Sequence, residues 1–196
     1  MDMEELDFVE EELETSIKVL FVGPSQSGKS TIISTLTSSP PPSKTLSVSY
    51  NEYSLPGGGE RLMLYDTPSS FNFQGHSCKN VGGIILAVDL PSSSSSYESA
   101  VKGAGVLLGV LKRRVDPLPP AVVCFTRWDE ADERGWGDRK SEFSEAYREV
   151  LDTCDAFIGG MYSVVRMDCR VEKDVMGVVE KVVGNYRNEE EEEEEK

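Results

Sequence analysis

The sequence predicts a three-layer α/β fold, a mostly parallel sheet with one antiparallel hairpin, on three observations. Apolar runs of strand length alternate with stretches of helical spacing from residue 17 to residue 187. Several runs, at 17–22, 81–88 and 121–125, are apolar without alternation, as strands buried on both faces are. One pair of strand-like segments, 46–55 and 61–65, is instead joined through Gly57-Gly58-Gly59, which is turn chemistry. Strand–helix–strand traffic calls for parallel neighbours, and the glycine turn calls for an antiparallel pair.

The elements follow in order. Residues 1–16 are expected to form a disordered acidic arm, in which Leu6, Phe8, Val9 and Leu13 could dock only loosely. The first strand, 17–22, stops at Gly23, and a short helix over 29–37 is broken by Pro40-Pro41-Pro42. The hairpin comes next. The strand at 81–88 ends in Asp89-Leu90-Pro91 and a serine run, 92–96, that reads as a loop. Helical spacing covers 97–115 and is closed by Pro117, Pro119 and Pro120. A strand at 121–125, a helix at 141–154, a strand at 161–167 and a helix at 172–186 complete the series. That last helix carries Val175, Met176, Val178, Val179, Val182 and Val183 as an apolar stripe. Residues 17–187 therefore read as one domain, and 188–196 as a disordered poly-Glu tail.

Charge is distributed unevenly. The chain of 196 residues has 20 Lys and Arg against 35 Asp and Glu, a net charge of −15. Eight acids lie in residues 1–14 and seven consecutive Glu in 189–195, so the stretch from Thr15 to Asn188 is left with a net charge of −1. A near-neutral body lacks the basic face that duplex nucleic acid or an anionic membrane requires. The 4 Cys are scattered, with no C-x-x-C pair and no Cys/His cluster around the single His76, which argues against a structural zinc site and fits free thiols in a reducing compartment. No apolar run reaches the ~18 residues of a membrane span, and neither a basic leader nor a lipidation box is present. A soluble cytoplasmic protein without a direct membrane anchor is expected.

The strongest chemical signal is Gly23-Pro24-Ser25-Gln26-Ser27-Gly28-Lys29-Ser30, a full match to G-x-x-x-x-G-K-[ST] between a strand and a helix. Glycines let backbone N–H groups turn inward around phosphate oxygens, and the helix that follows presents its positive end. Lys29 would reach the β- and γ-phosphates, the Ser30 hydroxyl would ligate Mg²⁺, and Thr31 continues the helix start. A second signal is Asp66, at the end of the apolar stretch Leu62-Met63-Leu64-Tyr65 and 36 residues beyond Ser30. A carboxylate there suits an Mg²⁺ site. The third signal is Thr126-Arg127-Trp128-Asp129, directly after a buried strand.

On these residues the chain resembles the Ras-like small GTPases, within the P-loop NTPases. The guanine-reading motif of that family is Asn/Thr-Lys-x-Asp, whose aspartate takes both guanine N–H donors. The resemblance implies GTP or GDP and Mg²⁺ as ligands, with Gly23, Ser25, Gln26, Ser27, Gly28, Lys29, Ser30, Thr31, Thr126, Arg127 and Asp129 around the nucleotide. Ser30, Thr45 and Asp66 would then serve the metal, Thr45 being the switch threonine 15 residues after Ser30.

Four departures bear on function. Asp66-Thr67-Pro68-Ser69 stands in place of D-x-x-G, so the glycine that senses the γ-phosphate is missing. Ser70 occupies the position of the water-orienting Gln, and Gln74 lies further on. Met167-Asp168-Cys169 replaces the last base-contact motif, Ser-Ala-Lys, and poly-Glu replaces a lipidated tail. Within the family, Val19-Leu20-Phe21-Val22-Gly23-Pro24, Ser27-Gly28-Lys29 and Asp89-Leu90-Pro91 look like the Rab-like subunit of the intraflagellar transport B complex. That subgroup implies a ciliary or flagellar setting and a helical or coiled-coil scaffold as partner.

The expectation is a guanine-nucleotide-binding protein with weak or no intrinsic hydrolysis, acting as a switch or assembly subunit. Two alternatives stay open. One is a pseudo-GTPase that serves only as an interaction module. The other is a P-loop kinase or ATPase, which would need an arginine-bearing lid from Arg134 or Arg139.

Overall fold

A computed structural model describes residues 16–42, 47–56, 61–68, 80–89, 97–115, 118–128, 140–160 and 162–194. Six strands form one sheet: β1 (Ile17–Val22), β2 (Ser49–Ser54), β3 (Arg61–Asp66), β4 (Val81–Val88), β5 (Ala121–Thr126) and β6 (Tyr162–Met167). Their order is β2-β3-β1-β4-β5-β6. Every neighbouring pair is parallel except β2 with β3, the antiparallel pair that the glycine turn announced. The α/β fold class read from the sequence is therefore the one observed.

Side-chain alternation along the strands feeds two cores. On one face Val19 and Phe21 of β1 meet α1 (Lys29–Thr37) and α4 (Glu172–Glu194) through Ile32, Ile33, Val178 and Val182. On the other, Leu20 and Val22 meet α2 (Tyr97–Arg114) and α3 (Lys140–Ile158) through Leu107, Leu108, Val150 and Cys154. The buried positions of α4, Val175, Val178, Val179, Val182 and Val183, recur at helical spacing, so a single stripe faces the sheet. Each such side chain contributes about 1.5–3 kcal/mol when fully removed from water.

The position of β1 decides where a site can form. It lies between β3 and β4, so the chain crosses over it between its third and fourth strands. Ligands of open α/β sheets bind at such switch points, beyond the carboxyl ends of the strands. Register brings the right residues to that edge: Phe21 pairs with Asp66, Val88 with Phe125, and Thr126 with Met167.

Two helices outrun the sequence reading. For α3, expected over 141–154, the apolar stripe continues from Cys154 to Ile158, and the chain then turns through Gly159 and Gly160 at φ 72° and 79°. In α4, expected to stop at 186 with a disordered tail from 188, the helix continues to Glu194. Glutamate is a good helix former and no Gly or Pro interrupts the run, although acids at a helix C-terminus oppose the macrodipole. By contrast β2, expected over 46–55, keeps only Ser49–Ser54. No described helix is long and apolar enough to cross a membrane. The expected N-terminal arm, 1–16, lies outside the described residues apart from Ser16.

Candidate functional site

The turn from β1 into α1 is shaped by its glycines. Gly23 has φ 153°, and a Cβ there would run into the Ala87 carbonyl oxygen. Gly28 caps α1 in the left-handed region at φ 91°, and a Cβ there would come 2.8 Å from Cys169 Sγ. Gln26 also takes a positive φ, 64°, so the tip of the loop, Ser25 and Gln26, is exposed while Ser27 is buried. The loop thus curls around its own interior, and β1 on one side and α1 on the other hold it there.

Lys29 fills that interior. Its Nζ donates to Gly23 O at 2.9 Å and to Pro24 O at 2.8 Å, with Ser27 Oγ at 3.4 Å. Burial pulls its pKa down to about 8, against the opposing pull of the Asp66 carboxylate. A cation held on neutral carbonyls in a dry loop is primed for an anionic acceptor, because charge-assisted bonds to phosphate are the stronger ones. Ser30 Oγ, one residue on, donates to Asp66 Oδ2 at 2.5 Å. Thr67 Oγ1 donates to Phe21 O at 2.6 Å and ties the end of β3 to β1. Thr31 is half-buried in the first turn of α1.

The segment after β5 is docked onto the phosphate loop. Thr126 is fully buried, and its hydroxyl donates to Ser27 O at 3.0 Å and lies 3.4 Å from Val88 O. Arg127 takes φ 54° and sends its guanidinium back across the edge, where Nη2 meets Gln26 O at 2.9 Å and Asp89 Oδ2 at 3.0 Å. Trp128 turns the other way, into the layer of α3, edge-on to Phe125 and Tyr147 and beneath Arg166 at 4.5 Å. After β6, Cys169 tucks under Gly28, its carbonyl accepts from Thr35 Oγ1 at 2.7 Å, and its thiol accepts from the Arg127 backbone. Burial raises the Cys169 thiol to about 11 and Cys154 to about 12, and it pushes Cys124 up as well, so these three free thiols stay protonated at neutral pH.

Gly23, Ser25, Gln26, Ser27, Gly28, Lys29, Ser30, Thr31, Asp66, Thr126 and Arg127 are thus gathered at one edge of the sheet. Thr45, Asp129, Ser69, Ser70, Gln74, Cys78, Arg134 and Arg139 lie outside the described residues. Sequence reasoning overlooked Asp89 as the partner of Arg127 and Thr67 as a strand tie; for Asp89, an acid closing a buried strand was the available signal. Ser30 and Asp66 offer a hydroxyl and a carboxylate, hard oxygen donors of the kind Mg²⁺ takes alongside water and phosphate. Among the described residues, no cluster of three or more His, Cys, Asp or Glu could hold a metal ion unaided.

No family model matches the chain, and neither does any curated protein. Among solved structures it is similar to the crystal structure of a bacterial selenocysteine-specific elongation factor, with a TM-score of 0.61 and 15% identity. The match covers 87% of this chain but 29% of the other, so this chain spans less than a third of that protein. At that identity the likeness shows the fold alone, a mostly parallel six-stranded α/β sheet with one antiparallel pair.

Proposed function

We propose that residues 17–187 form a guanine-nucleotide-binding domain with weak or no intrinsic hydrolysis, a switch or assembly subunit of a larger complex. The observation that carries this reading is the docking of the Thr126–Arg127 turn onto the phosphate loop, with Thr126 Oγ1 on Ser27 O and Arg127 on Gln26 O. Phosphate and base would be read by two segments that are already bonded to each other. In this reading Gly23–Ser30 cradles the phosphates, Lys29 leaves its carbonyls for the β- and γ-oxygens, and the Arg127 stem covers the base. Asp129 takes the guanine N–H donors. When Mg²⁺ is bound it neutralises phosphate charge, and Ser30, Asp66 and the switch candidate Thr45 are the residues that would hold it.

The near-neutral body, with acids at both ends, favours a protein surface as destination over nucleic acid or membrane, in the cytoplasm. A helical or coiled-coil scaffold is the partner proposed. The finer placement, a Rab-like subunit of the intraflagellar transport B complex working in the cilium or flagellum, draws on the sequence phrases alone. A second reading, an interaction module without nucleotide turnover, draws support from Ser69 and Ser70, which stand where the γ-phosphate-sensing glycine and the water-orienting Gln are expected.

Competition binding tests the main reading. GTP should displace a fluorescent guanine nucleotide about 10⁴-fold more effectively than ATP, since a site built to pair a donor edge leaves its own carboxylate unpaired with the wrong base. Asp129→Ala should erase most of that preference. Equal displacement by ATP would move the protein to the P-loop kinases and ATPases, and no binding at all would leave the interaction module.

A further inference from the structure

Arg127 stands where guanine-binding motifs of this type place a lysine, and its guanidinium has a partner of its own. The Nη2 nitrogen meets both Gln26 O at 2.9 Å and Asp89 Oδ2 at 3.0 Å. Asp89 follows the last residue of β4, and Val88 pairs with Phe125, so the carboxylate stands beside the end of β5 from which Arg127 departs. Its side chain is 7% exposed, whereas that of Arg127 is 32% exposed. A carboxylate so far removed from water is costly unless it faces a cation, and a guanidinium is planar and holds its donors in fixed directions.

From this geometry we propose that Asp89 is a positioning residue for base recognition. It holds the Arg127 guanidinium against Gln26, so that the arginine stem lies as a fixed platform between the base-reading turn and the phosphate loop. Gln26 O alone would offer a single neutral acceptor at the exposed tip of the loop. The buried carboxylate supplies the charge that selects one pose of a long, flexible side chain. The positive φ of Arg127, 54°, directs the backbone the other way, toward Trp128 and α3, so side chain and main chain diverge at this residue. In this role Asp89 acts through Arg127, not by direct contact with the base. The inference rests on the guanine-nucleotide reading above and deepens it: binding of the base is coupled to the phosphate loop through one ion pair.

The test is a double-mutant cycle on the full chain, read by calorimetry with GDP and, separately, with inorganic tripolyphosphate, which occupies a phosphate loop without a base. Asp89→Asn should weaken GDP about tenfold, the scale of a charge-assisted contact that is partly open to solvent, and leave tripolyphosphate unchanged. Arg127→Met, which keeps an apolar stem, should weaken GDP at least as much. The double variant should be no weaker than Arg127→Met alone. Asp89→Glu, which restores the charge on a longer arm, should recover part of the loss. Wild-type GDP affinity in Asp89→Asn, additive losses, or equal weakening of GDP and tripolyphosphate would each overturn the proposal while the guanine-nucleotide reading stands. A wild-type chain with no affinity for GDP would sink both together.

Discussion

The phosphate loop after β1 and the end of β3 meet through the hydrogen bond from Ser30 to Asp66, yet they are built on opposite principles. The first takes a positive φ at Gly23, Gln26 and Gly28, glycine at two of the three, and has a buried lysine at its centre. Its sequence matches the phosphate-loop pattern at every position. The second runs Asp66-Thr67-Pro68, with Thr67 bonded to Phe21 O and Pro68 fixing φ and offering no N–H. A γ-phosphate sensor needs an amide that can swing in, and this segment is held by its threonine and stiffened by its proline. The contrast separates two properties that a nucleotide site can have independently. In the proposed reading, grip would come from the first loop, and turnover would have to come from the second.

The sharpest way to break the comparison is to disable the gripping side. Lys29→Ala removes the cation inside the loop and should weaken guanine nucleotide by about ten- to a hundredfold, or ~1.5–3 kcal/mol. Equal affinities for wild type and variant by calorimetry would mean that this loop is not the site. Disabling the shared bond should affect the metal first. Asp66→Asn should lower Mg²⁺ affinity in the nucleotide complex by about 10–100-fold, as loss of an outer-shell carboxylate does, which a Mg²⁺ titration of bound nucleotide would report. An unchanged Mg²⁺ midpoint would remove Asp66 from the metal's surroundings.

A smaller effect is expected from pH. Free Lys29 loses its proton near pH 8, whereas a phosphate-bound lysine keeps it, so binding takes up a proton above that point. Affinity should be flat below about pH 8 and fall about tenfold by about pH 9, with a slope abolished in Lys29→Ala. The stability of the ligand-free chain carries the opposite sign. The buried ammonium is a cost in full below pH 8, relieved as pH rises from about 8 toward 10.5, because the unfolded chain there binds the extra proton. A pH-independent affinity would show that Lys29 is not the group that meets the phosphates.

How much of this was legible depended on whether the cause was local. The apolar run 17–22 followed by Gly23 and Gly28 specified a strand, a turn and a helix over residues 17–37, and β1, the loop and α1 are found there. The end of β3 was legible for a similar reason. Asp66 closes an apolar stretch, and parallel pairing with β1 at Phe21 carries it to the loop, 2.5 Å from Ser30. The destination of Arg127 was not legible, because Gln26 is 101 residues away and the direction of a guanidinium is set by a buried acid, not by spacing. The end of α4 was misjudged because a run of glutamates satisfies two opposed rules. High charge density argues for a solvated coil, while straight side chains argue for helix, and the helix persists to Glu194.

The central claim is that this chain grips a guanine nucleotide and does not turn it over. Loading the purified protein with an equimolar mixture of GTP and ATP in Mg²⁺, removing the excess, and identifying the nucleotide released on denaturation over time tests both halves at once. Stoichiometric GTP that remains intact far beyond the seconds scale is the expected result. Release of GDP within seconds, or of ATP in equal measure, would contradict it.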